Sequence, residues 1–141
     1  MWLRVNNIEE LQEGDVIELG TTYPLIKHYA VVVIQDGEKK VAHYPYPDSP
    51  CIEDINYVIN NRPERHRFVK RIFRTGVPSD QIIDKHNEIQ NIDKKYKFIR
   101  FTCENYVRAL TGSDIGIDQR FLIGGGLIII ILLLILIFKG N

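Results

Sequence analysis

Cysteine is scarce in this chain: Cys51 and Cys103 are the only two among 141 residues. Two thiols are too few for a disulfide scaffold, and in a cytosolic domain both stay reduced. Net charge is also missing, with 18 basic side chains against 18 acidic ones. Every acidic residue and every basic one except Lys139 precedes residue 121, so that part carries 17 basic and 18 acidic groups, net −1. That balance excludes general nucleic-acid binding. The close Cys/His spacings of zinc motifs are absent, as are internal repeats. The opening Met1 to Glu10 lacks the apolar stretch of a secretory signal.

Polar side chains are absent from Phe121 to Phe138, 18 residues dominated by Ile and Leu. As a helix this run is about 27 Å long, enough to cross a bilayer core. A buried helix, or a segment held in a partner's groove, is the alternative. A domain of about 120 residues can hardly wrap a helix that is apolar on every side, which favours the membrane. The expected organisation is a domain over residues 1–115, a short linker over 116–120 and a C-terminal transmembrane anchor over 121–138. Such a tail anchor leaves the domain facing the cytosol.

Within the domain, Asp15 to Leu19 alternates as a strand after a lead-in turn. His28 to Ile34 and Lys39 to Tyr44 flank Asp36-Gly37, the strongest short hairpin signal. A two-residue turn there sets Gln35 opposite Glu38 and Ala30 opposite His43. His28 and His43 then share one face as diagonal neighbours, about 7–8 Å apart. A slip of one residue would separate them. Pro45, Pro47 and Pro50 mark an irregular loop, and Arg67 to Phe73 reads as another strand. Ser79 is the expected N-cap of a helix reaching about Ile92, with Ile82, Ile83, His86 and Ile89 inward. Tyr96 to Phe101 reads as a short strand or an extended lead. The last helix has Thr102 as N-cap and Gly112 as its stop, and Cys103, Tyr106, Val107 and Leu110 form its inner face.

The chemistry centres on Cys103. A buried cysteine is most often a small apolar filler. At a helix N-terminus, however, unsatisfied N–H groups and the macrodipole favour thiolate, and a nearby imidazole can take the proton. Two histidines on one strand face are less ordinary than one packed histidine. His86 reads as packed and His66, between two arginines, as solvated. Metal binding by Cys103, His28 and His43 is an alternative without the usual spacing. The run Arg62, Arg65, Arg67, Lys70, Arg71 and Arg74 is either a charged strand edge or a surface for anionic headgroups.

Four ordered segments, Gly14-Asp15-Val16-Ile17-Glu18, His28-Tyr29-Ala30, Val41-Ala42-His43 and Cys103-Glu104-Asn105-Tyr106-Val107, resemble the lecithin:retinol acyltransferase (LRAT)-like family. That family includes small phospholipase A/acyltransferases with a similar hydrophobic anchor. Its pattern runs G-D-L-I-E, H-W-A, V-V-H and N-C-E-H-F-V, and Val77-Pro78 through Ile83 is similar to its helix before the cysteine. The resemblance implies an α+β, circularly permuted papain-like domain of NlpC type: an antiparallel sheet with packed helices. It implies Cys103 as nucleophile, His28 as general base and His43 as the residue that orients or polarises His28, with no cofactor. Thr102 and Asn105 depart from the family's Asn and His, and the loop between the histidines is longer.

The sequence thus leads to a membrane-anchored thiol acyltransferase or phospholipase A. It would act on glycerophospholipid acyl esters through an acyl-cysteine, with a membrane phospholipid as substrate and the bilayer as partner. Two rivals stand beside it: a cysteine amidase or peptidase on the same fold, and a non-catalytic, membrane-tethered adaptor.

Overall fold

At Asp36-Gly37 both residues adopt positive φ, 54° and 79°. This is the backbone a two-residue hairpin requires, and one that Asp and Gly tolerate. The turn joins β3, Lys27–Gln35, to β4, Glu38–His43, in the expected register: Gln35 pairs with Glu38 and Ala30 with His43. The structure is a computed structural model that describes residues 1–20, 27–45, 48–60, 67–92 and 102–115. These residues form an α+β domain whose six strands make one antiparallel sheet, with three helices packed on it.

Around the hairpin lie β1 (Trp2–Arg4), β2 (Asp15–Gly20), β5 (Cys51–Asp54) and β6 (Arg67–Arg74). The sheet order is β1-β6-β2-β3-β4-β5. The helices are α1 (Ile55–Asn60), α2 (Ser79–Ile92) and α3 (Cys103–Thr111). Alternation along the central strands splits the core in two. Val16, Tyr29, Val31, Val33 and Ala42 face α2 and α3, meeting Ile82, Tyr106, Val107 and Leu110. Ile17, Ala30, Val32, Val41 and Ile72 face the other way, onto Ile55 and Val58 of α1 and onto Val5 and Leu11. With both faces covered, β2 is buried along its whole length.

Several expectations change. The proline-rich stretch leads into β5 and α1, two elements for which the sequence suggests no assignment. β6 is not a charged edge: it lies between β1 and β2, and three-residue β1 is the edge. Arg71 pairs with Glu18 and Arg74 with Asp15, both buried acids. Ser79 is the first residue of α2 rather than its cap, since Ile82 N–H already bonds the Pro78 carbonyl. The Ser79 hydroxyl instead accepts from Ile34 N–H at 2.8 Å and donates to Glu13 at 2.8 Å, tying α2 to β3 and to the start of β2. The extended lead expected before α3 and the anchor over 121–138 lie outside the described residues. Among the described residues, no helix is long and apolar enough to cross a membrane.

Candidate active site

The Thr102 hydroxyl accepts the Asn105 N–H at 3.4 Å, which fixes the start of α3. Gly112, at φ 65°, closes the other end in the left-handed conformation. Cys103 is therefore the first residue of the helix. Its side chain joins Tyr106, Val107 and Leu110 on the buried face, as their spacing requires. Glu104, in the first turn of α3, is itself buried and pairs with Arg108 at 2.9 Å.

The end of β4 decides where the thiol sits. Pairing between β3 and β4 stops at His43, opposite Ala30. Beyond it, the Lys27 carbonyl and the Tyr29 N–H point in the same direction, as residues two apart in a strand do. Both meet Cys103. Its sulfur lies 3.8 Å from the Lys27 carbonyl, which accepts from the thiol, and it receives a hydrogen bond from the Tyr29 N–H. The sulfur thus occupies the place on β3 that a further β4 residue would take. It flanks the backbone of His28, the residue between its two partners.

The hairpin places the imidazoles as its register predicts. His28 and His43 share the face of Ala30, Val32 and Val41. His28 Nε2 lies 3.0 Å from His43 Nδ1, with the rings at 82°. Both are buried, His43 completely. The structure therefore brings His28 and His43 into contact and sets Cys103 against the backbone of the first. The hydrogen bonds of the Cys103 sulfur run to that backbone rather than to an imidazole ring.

Ionisation differs from the sequence reading. The N–H groups of Tyr29, Glu104 and Cys103 itself do favour thiolate, yet burial outweighs them and Glu104 adds to the penalty. The Cys103 thiol is pushed up to about 11 from an ordinary value of 9.0. Helix position alone does not make this sulfur a thiolate, because low dielectric penalises the anion more than the helix start favours it.

Two further groups were missed. Cys51 stands directly opposite His43 on β5, and Glu53 lies two residues along the same face. His43 Nε2 is 3.0 Å from Glu53 Oε2 and 3.3 Å from Cys51 Sγ. The available signal was the alternation Cys51-Ile52-Glu53 after Pro50, which becomes legible once that segment is paired with β4. His86 is packed as expected: its Nδ1 is hydrogen-bonded to the Tyr106 hydroxyl, and burial lowers its affinity for a proton. His66 lies outside the described residues.

Compared with family models, curated proteins and solved structures, the chain matches none.

Proposed function

We propose that this protein is a thiol-dependent acyltransferase or phospholipase A of the LRAT-like, permuted papain-like type, acting on glycerophospholipid esters. One observation carries the reading: Cys103, at the start of α3, is docked by its sulfur on the backbone flanking His28, which is bonded to His43.

In this reading Glu53 is a carboxylate that takes the His43 Nε2–H, which leaves His43 Nδ1 to accept from His28 Nε2–H. His28 Nδ1 is then the basic atom. The imidazoles lie on the α1 side of the sheet, whereas Cys103 belongs to the α3 side. To react, the thiol leaves the Lys27 carbonyl, turns past the end of β4 and gives its proton to His28 Nδ1, and the sulfur attacks the acyl carbonyl. N–H groups at the start of α3 stabilise the oxyanion. His28 returns the proton to the departing lysophospholipid oxygen, leaving a thioester on Cys103. Water resolves it to a fatty acid, and an alcohol or amine resolves it to a transferred acyl group. In this reading Glu53 and His43 are positioning residues. The apolar run over 121–138 anchors the domain to a bilayer from its cytosolic side, which keeps the site beside its substrate.

The test incubates purified full-length protein with phospholipid vesicles and follows release of lysophospholipid. Turnover lost in both Cys103→Ser and His28→Ala supports the reading. Cleavage of peptide or isopeptide substrates without lipid turnover replaces it with an amidase on the same site. A second reading, a membrane-tethered adaptor without catalysis, is favoured by the strongly raised Cys103 thiol and its bonding to backbone. It predicts that neither substitution changes anything but stability.

A further inference from the structure

His43, Cys51 and Glu53 present one nitrogen, one sulfur and one carboxylate oxygen within 4.8 Å of one another. The register sets them there: Cys51 is the cross-strand partner of His43 and Glu53 follows by two residues. Glu53 Oε2 and Cys51 Sγ both converge on a single atom, His43 Nε2, at 3.0 and 3.3 Å. A cation at the point of convergence serves all three.

We propose that His43 Nε2, Cys51 Sγ and Glu53 Oε2 are the ligands of a divalent transition-metal ion of the zinc type. Thiolate, imidazole and carboxylate together exclude calcium and magnesium, which take all-oxygen shells. The bond lengths of tetrahedral zinc, 2.0–2.3 Å, imply donor–donor edges of about 3.2–3.6 Å. The edges from His43 Nε2 to Glu53 and to Cys51 need open by only a few tenths of an ångström, and the third lies within 4.8 Å. Cys51 is part-exposed and Glu53 is 24% exposed, so the ion reaches the site from solvent and keeps a position for water. His28, bonded to the other nitrogen of His43, is the outer partner that orients a metal-bound imidazole.

Binding rearranges the protons. Cys51 releases its thiol proton to solvent. His43 gives up the proton on Nε2 and takes one on Nδ1, which then donates to His28 Nε2. His28, keeping one proton, carries it on Nδ1, the atom that must be bare to accept the proton of Cys103. The metal site stands on its own geometry, whereas its role as an off-switch rests on the function proposed above.

The experiment adds Co2+ to metal-free, full-length protein and reads the ultraviolet band of cobalt–thiolate charge transfer, with Zn2+ as competitor. The expected result is a band that saturates at one equivalent, disappears in Cys51→Ser and persists in Cys103→Ser. Affinity falls about tenfold or more in Glu53→Ala. No band, or one that survives Cys51→Ser, overturns the site. Nitrogen-15 spectra of the imidazoles test the switch: Zn2+ moves the His28 proton from Nε2 to Nδ1, and unchanged His28 signals at saturation overturn it. Neither readout needs turnover, so absence of lipid chemistry in the metal-free protein would count against the catalytic reading alone.

Discussion

The Cys103 sulfur lies 3.8 Å from the carbonyl oxygen of Lys27, on the strand that carries His28. This contact, with the Tyr29 N–H on the other side, makes α3 an extension of the sheet edge left open where β4 stops. It also buries the thiol, and burial keeps it protonated at rest.

The two cysteines should therefore differ in reactivity, in the reverse of the order the sequence implies. Cys51 is part-exposed and beside an imidazole, while Cys103 is 6% exposed with its thiol pushed up to about 11. Mild alkylation at neutral pH with chelator present should label Cys51 at least about tenfold faster, because the thiolate is the reacting form. Peptide mapping checks this. Equal labelling of both in the folded protein would show that Cys103 is neither buried nor protonated as described.

Alkaline stability follows from the same shift. Unfolded, the Cys103 thiol loses its proton near pH 9, and folded near 11. Between those values the native state binds more protons than the unfolded state, so stability falls as pH rises. The loss complete by pH 11 is on the order of 2 kcal/mol. Urea unfolding of Cys103→Ala should show a shallower decline across that window, and a parallel decline would remove burial of the thiol from the account.

Gly14, just before β2, is glycine for a structural reason. It has φ +75°, and a Cβ there would lie 2.5 Å from the Val77 carbonyl oxygen. Its N–H bonds the Val32 carbonyl at 2.9 Å, so the backbone has little room to move. Gly14→Ala should cost roughly 2 kcal/mol or more, from positive-φ strain and the backbone clash together. Denaturant unfolding measures it, and a loss below about 0.5 kcal/mol would contradict the close approach.

His86 should stay neutral where an ordinary histidine charges. Burial holds its proton affinity down, with Nδ1 hydrogen-bonded to the Tyr106 hydroxyl. The folded state therefore resists a proton that the unfolded state takes up, so stability is lost as pH falls through the unfolded value near 6.5. Nitrogen-15 titration should find His86 taking up its proton at lower pH than an ordinary histidine, and His86→Phe should remove part of the acid sensitivity.

Much of this geometry was legible in the residues. Asp36-Gly37 fixed the register of β3 and β4, and from it came the shared face of His28 and His43. Thr102 and Gly112 bounded α3, and a spacing of three and four placed Cys103 inward. What was not legible depended on partners distant in the chain. β5 has four residues after three prolines, too short to show a period until β4 lies beside it, so Cys51 and Glu53 were overlooked. The basic run looked like an edge because sequence shows charge but not the buried Glu18 and Asp15 that meet Arg71 and Arg74. The thiol was read as easily ionised from its helix position, and only the packed structure shows burial outweighing the helix start.

The most direct measurement is mass spectrometry of the intact and digested protein after exposure to phospholipid vesicles. The account predicts a mass increase of one acyl chain on Cys103, hydroxylamine-labile as a thioester is, and absent in His28→Ala. No acyl adduct, an adduct on Cys51, or an adduct on Cys103 unaffected by His28→Ala would contradict it.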